Sequence, residues 1–455
     1  MLFRKLLSPG AVAAAILIAP FVATSAHAAD ATLRTAAPTQ SESVHGIEMA
    51  PGCTSWTVPG TPNGLKPNQC WLSIAAAPDG DIYITGSDHK TNAALYRLDR
   101  KTDRLAYVGD ARSASEAAGN WQPGETAEKF HVRPLFYKGR AYLATADYTA
   151  QDEGYRQRRG FHWYCYDPAA NRMSDLSAGE PGGVGGAHAS IIATTLDKER
   201  GLIYALSTPT CELFRYDIAA GRTEDLGHPS CVTKCGYMPG RYLWLGQRGR
   251  VYFTVSASDH VLYYDPETGF GETAWKIDAP DGLPKVFRTG AESADGERIY
   301  TVDEQGWIYR YDRRDDRFTR LGRAVSDDTR YGSRGGLKMR AFNITPDERS
   351  LYFINDDAAV SALWEWDVAT GATRCLCDLS AIDGRIGGGE FTTHAGNDSW
   401  GADGCLYFCS FGTDQGKPTA LILTRLDPVR LKVKLGLLPE RTEVSAERKA
   451  DTTKP

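Results

Sequence analysis

Seven copies of one short pattern govern what this chain can become. In each copy an apolar segment carrying a Tyr is followed by a second segment that ends in Asp, then by a turn rich in Gly, Pro, Asn or Asp. The Tyr segments are Asp81-Ile-Tyr83, Arg140-Ala-Tyr142, Leu202-Ile-Tyr204, Arg250-Val-Tyr252, Arg298-Ile-Tyr300, Ser350-Leu-Tyr352 and Cys405-Leu-Tyr407. The closing aspartates are Asp99, Asp167, Asp217, Asp265, Asp312, Asp367 and Asp427. Apolar residues alternate or run in fours and fives between these marks, so the segments read as strands, and helix-period stretches are nearly absent. A repeat of about 50 residues holding four short strands specifies an array of small sheets, none of which can bury its apolar faces alone.

Seven such sheets satisfy one another if they close into a ring, because closure removes the edges that an open array would leave. Over residues 71–436 the pattern resembles the seven-bladed β-propeller superfamily. The expected class is therefore all-β, with four-stranded antiparallel blades. Four insertions, at 111–129, 147–160, 227–240 and 323–337, are of the types that emerge on the face where the innermost strands begin. Residues 29–70 are expected to form a loose leader followed by a strandless, cysteine-tied arm. Residues 437–455 are charged and expected to be disordered. Blade seven is expected to supply its own four strands.

Residues 1–28 read as a secretory signal. Arg4 and Lys5 precede a short apolar run, and Ala26-His27-Ala28 offers a small-x-small cleavage site. Cleavage would take the net charge from -5 to about -7 by removing two cations. That acidity argues against duplex nucleic acid as a partner, and no later stretch is apolar enough to span a membrane. A secreted or periplasmic monomer is expected. The even count of 10 Cys favours disulfides in such a compartment. Cys53 with Cys70, and Cys375 and Cys377 with Cys405 and Cys409, are the expected pairings, while Cys231 and Cys235 offer a metal-binding alternative.

Counting back from each Tyr places His or Arg near the start of six innermost strands. These are His131, His188, Arg241, Arg288, Arg340 and His394, with Leu72 at the seventh. Arg133, two residues after His131, should share its face. The functional reading is a cationic ring that receives an anionic ligand. The bland reading is a water-filled channel whose polar lining bonds to backbone. The long loops on the same face favour the first. Three His around an axis could also hold a divalent cation, with Glu390 as a fourth ligand.

In residue types and placement the ring is similar to secreted propeller-fold polysaccharide lyases acting on uronate-containing glycans. That resemblance implies β-elimination, with Arg and His against the uronate carboxylate and a Tyr or His moving the proton. Carried onto this chain, it makes His131, His188, Tyr237 and Arg241 the catalytic candidates. Arg133, Arg288, Arg340, His394 and Tyr331 become substrate-binding candidates, with Tyr331 the second choice after Tyr237 for acid or base. The partner would be an acidic polysaccharide or oligosaccharide. A non-catalytic propeller that binds an acidic glycan or a protein is the main alternative. A lactonase would need a carboxylate-rich metal site, and the basic strand starts count against it. Gly182-Gly-Val-Gly-Gly186 is followed by no helical pattern, so it is not a dinucleotide loop.

Overall fold

The computed structural model describes residues 43–147, 153–277, 285–331, 336–355, 358–386, 395–414 and 417–439. They form a seven-bladed β-propeller within the compact unit Gln40–Pro455. Blade three shows the plan. Ser190–Asp197 lies innermost, followed outward by Leu202–Thr208, Leu213–Asp217 and Arg222–Asp225, each antiparallel to the last. The repeated Tyr falls on the second strand and the repeated Asp ends the third.

Both marks have a local cause. The carboxylate of Asp99 accepts the backbone N–H groups of Lys101 and Thr102, and Asp167, Asp217, Asp265 and Asp367 do the same two and three residues on. An Asp that bonds its own backbone turns the chain out of a strand. The tyrosines are buried between neighbouring blades: Tyr83, Tyr204, Tyr252 and Tyr300 are all fully enclosed. Burial between sheets rather than within one is what joins the blades.

Closure of the ring differs from the expectation. Blade seven is not made only from C-terminal residues. Its order runs Ile47–Ala50, Cys53–Thr57, Lys417–Leu426 and Leu406–Asp414, so the N-terminal arm supplies the two outer strands. A further strand, Ser43–His45, extends the outer edge of blade one. Among the described residues the inner line of blade seven shows isolated bridges such as Ala395 with Cys409. Trp56, fully buried on the arm, packs with residues of blades one and seven. The arm expected to be strandless thus pairs the edge that Lys417–Leu426 would otherwise leave open.

The insertion after blade one also departs from a plain loop. Asp110 caps a helix over Ala111–Ala117, its side chain accepting from the Ser113 N–H. Further on, Asn120 and His162 form a buried cluster with Asp175 and Glu125. His162 Nδ1 lies 2.9 Å from Asp175 and Nε2 lies 2.8 Å from Glu125. Burial alone would lower the His162 pKa, but the hydrogen bonds to Asp175 and Glu125 outweigh it and hold the group up at about 9. The imidazolium rivets the insertion to blade two.

All ten cysteines are free thiols. The expected partners are held in different apolar clusters, and a register shift in the outer strand of blade six separates Cys375 from Cys377. Cys53 packs into the cluster holding Leu406 and Leu426, while Cys70 packs into the cluster holding Trp56. Cys375 and Cys377 abut different clusters from each other and from Cys409. The buried neighbour of Cys70 is Cys409, hydrogen-bonded to it across the seam between blades one and seven. Cys235, the proposed metal ligand, is exposed and hydrogen-bonded to the Tyr155 hydroxyl at 3.3 Å. Among the described residues no helix is long and apolar enough to cross a membrane.

Candidate functional site

The inner strand of blade two is broken. Lys129–Phe130 and Leu135–Tyr137 both pair with Arg140–Ala146, but the four residues between them do not. Pro134 has no N–H to give the ladder, so the interruption is built into the sequence. His131 and Arg133 sit on it.

His131 is 1% exposed. Its Nδ1 lies 3.0 Å from the Ile192 carbonyl. A carbonyl only accepts, so Nδ1 carries the proton and Nε2 presents a lone pair. That Nε2 is buried and has no hydrogen-bond partner. Burial, followed by the charges of Arg241, Lys129 and Arg288, pushes the His131 pKa well below its usual value. The ring is therefore neutral at pH 7 and its tautomer is fixed.

Lys129 is 2% exposed and was not singled out from the sequence. Its ammonium donates to His89 Nε2 at 2.8 Å and lies 4.6 Å from the centre of the Trp71 ring. Burial, together with the charge of Arg241, lowers its pKa to about 7, against the opposing effect of Glu128 and Asp147. Trp71 also stacks on His131, with ring centres 6.1 Å apart. The half-buried Trp71 and His89 thus cover a buried imidazole and a buried ammonium. Two further carboxylates stand behind. Glu128 is fully buried and donates its N–H to Asp147 at 2.9 Å, and burial pushes Asp147 up to about 6.

Arg241 is half-buried, and with His131, Arg133, Ile192 and Tyr242 it borders a void of about 30 Å³. Its backbone N–H reaches across to the Phe287 carbonyl of blade five at 2.8 Å. Arg288 is near enough to depress His131, and it pairs with Glu304 at 2.7 Å. Lys129, His131, Arg241 and Arg288 therefore form one electrostatic group at the mouth where the inner strands begin.

Of the other candidates among the described residues, only Arg133 touches this void. Arg133 borders a second, larger cavity as well and is paired with Asp398, whose charge outweighs the effect of burial and raises the Arg133 pKa. Arg340 is buried, donating to its neighbour Met339 O at 3.2 Å. His188 is exposed in a left-handed conformation, φ 61°, with Nδ1 2.6 Å from the Arg158 carbonyl. Tyr237 is half-buried against the cluster shared by blades three and four, its hydroxyl 3.5 Å from Thr233. Tyr331 is buried edge-on to Trp364, and its hydroxyl donates to Asp378 at 2.8 Å. His394 and Glu390 lie outside the described residues. No three of the His, Cys, Asp or Glu side chains come together to hold a metal among the described residues, and His131 and His188 are held by separate carbonyls.

At the far end of the channel lies a larger cavity of about 680 Å³. Its walls carry Arg133, Arg200 and Arg313, each on a carboxylate: Asp398, Asp197 at 2.7 Å and Glu292 at 2.8 Å.

No family model matches the sequence, and no curated protein is detectably similar to it. Solved structures that share the fold include a streptogramin B lyase, 11% identical, covering 82% of this chain and 97% of that one with a TM-score of 0.52. A catalytically inactive virginiamycin B lyase from Staphylococcus aureus, with quinupristin, is 10% identical and covers 82% and 99% with a TM-score of 0.50. The extracellular domain of the hybrid two-component system BT3049 from B. thetaiotaomicron is 11% identical, covering 89% of this chain and 46% of that one with a TM-score of 0.52. At these identities the likeness is one of fold, and a propeller fold hosts unrelated functions.

Proposed function

We propose that this propeller is an exported polysaccharide lyase that binds a uronate-containing glycan at the mouth formed by Lys129, His131, Arg241 and Arg288, and cleaves it by β-elimination. The observation that carries the reading is His131: a neutral imidazole with one nitrogen satisfied by Ile192 and the other buried without a partner, among three cations. A cationic pocket neutralises the uronate carboxylate, and that acidifies the carbon-bound proton beside it. A neutral imidazole with an open lone pair is the base such a proton requires. Two of the fold's neighbours carry the name lyase. Their low identity leaves the weight of the reading on His131. Seating a sugar ring requires Trp71 and His89 to turn outward, because the void beside His131 holds little more than one water.

The test is a panel of uronic-acid polysaccharides, followed by ultraviolet absorbance of newly formed unsaturated ends. A rise in the wild type that is lost in His131→Ala, and kept in His188→Ala, supports the lyase. No rise on any substrate, with binding retained, leaves a non-catalytic glycan-binding propeller. No rise and no binding removes both readings.

A further inference from the structure

His131 has one lone pair and can take one proton, yet an elimination that expels a sugar also needs an acid. The departing oxygen would otherwise leave as a poorly stabilised alkoxide. The tyrosines suggested by the sequence do not meet the need. Tyr331 gives its hydroxyl proton to Asp378, and Tyr237 lies against the blade three and four cluster with its hydroxyl near Thr233.

Lys129 does meet it. Its ammonium and the His131 ring flank the same indole, Trp71. Both groups are buried, and both are within reach of the Arg241 charge. The ammonium is also in hydrogen-bond contact with His89, which is half-buried and so touches both the interior and solvent. Resting on the lyase reading above, we propose that Lys129 is the catalytic acid of this site and that His89 is the positioning residue that returns its proton.

The step balances without a co-reactant. The carbon–hydrogen bond beside the carboxylate breaks, His131 Nε2 keeps the proton, and the electron pair becomes the new carbon–carbon double bond. The carbon–oxygen bond to the departing sugar breaks, and that oxygen takes a proton from Lys129 Nζ. His131 then releases its proton to water, while His89 takes a proton from water at Nε2 and hands it to the Lys129 amine. The charged and titrating groups facing Lys129 are Arg241 and Arg158, which favour the amine, and Glu128 and Asp147, which favour the ammonium. A lysine buried among such neighbours shifts its pKa readily, which suits it to proton transfer near neutral pH.

The experiment compares two leaving groups. One substrate is the glycan; the other is a uronide aryl ether from which 4-nitrophenolate departs, needing little help from an acid. Lys129→Met is expected to lower kcat on the glycan by about 10²–10⁴-fold and to leave the aryl ether within about tenfold of wild type. His131→Ala is expected to lose both. Lys129→Gln serves as a second variant, and thermal melts of each confirm folding. Equal loss on both substrates in the Lys129 variants, or no loss on either, overturns the assignment. A wild type inactive on both substrates overturns the lyase reading itself, and Lys129 with it.

Discussion

The two mouths of the channel are lined by the same residue types and behave oppositely. At the far mouth, Arg133, Arg200 and Arg313 each stand on a carboxylate, and Arg133 is stabilised as a cation by Asp398. At the entry mouth Arg288 also stands on a carboxylate, Glu304, but burial and then the neighbouring cations depress the other groups: Arg241 and Lys129 act on His131, and Arg241 acts on Lys129. The far mouth has the volume, about 680 Å³ against about 30 Å³. The entry mouth has the chemistry. Volume marks where a ligand fits, whereas shifted titration within one electrostatic group marks where proton transfer is tuned.

The sharpest way to break this contrast is to remove one arginine from each mouth. Arg241→Ala is expected to weaken an acidic oligosaccharide by about 10–100-fold, the worth of one or two charge-assisted hydrogen bonds. Arg133→Ala is expected to leave that affinity unchanged and instead to destabilise the fold by about 1–3 kcal/mol, since Asp398 loses its partner. Calorimetric titration and urea melts of both variants decide it, and the contrast fails if the two effects are exchanged.

A second probe reads the rivet that holds the insertion leading into Lys129. The folded pKa of His162 is raised to about 9. Its contribution is therefore complete below the unfolded value near 6.5 and drains away as pH rises through about 9, a loss of about 3 kcal/mol. Urea midpoints at pH 6 and pH 10 should show that decline in the wild type and a flatter line in His162→Gln. The third expectation is smaller. Raising ionic strength from about 0.05 to 0.5 M should weaken glycan binding several-fold, by screening the half-exposed arginines of the entry mouth. The smallest is an expected absence of effect. Ala76→Trp, which fills part of the far cavity, should leave turnover within about twofold; loss of turnover would move the site to the far mouth.

The fold was legible because its repeat is local. A Tyr on the second strand and an Asp that bonds its own turn recur seven times, and each acts within a few residues. Ring closure was not legible, because Ser55 meets Thr424 across 369 positions and nothing in either segment announces the other. The site was half legible. Aligning strand starts brought out His131, Arg241 and Arg288, which share one electrostatic group. It also gathered Arg133, which pairs with Asp398, Arg340, which lies at a register shift in the inner strand of blade six, and His188, which the turn before Ser190–Asp197 carries out to solvent. Lys129 was available by the same alternation that suggested Arg133, taken two residues backward from His131 instead of forward. The roles of Trp71 and His89 depend on contact between blades one and two, which no single-blade pattern encodes.

The shared seventh blade has a bearing on how the molecule is made. Cys53–Thr57 leaves the ribosome early with Ile47–Ala50 on one edge, but its other edge must wait for Lys417–Leu426, the last long strand. Contacts of such separation form late and slowly. Every blade but one can mature as it is synthesised, yet the circle stays a horseshoe until Lys417–Leu426 has emerged. A chain stopped short of residue 417 would carry its opening strands as a sticky, unclaimed hem.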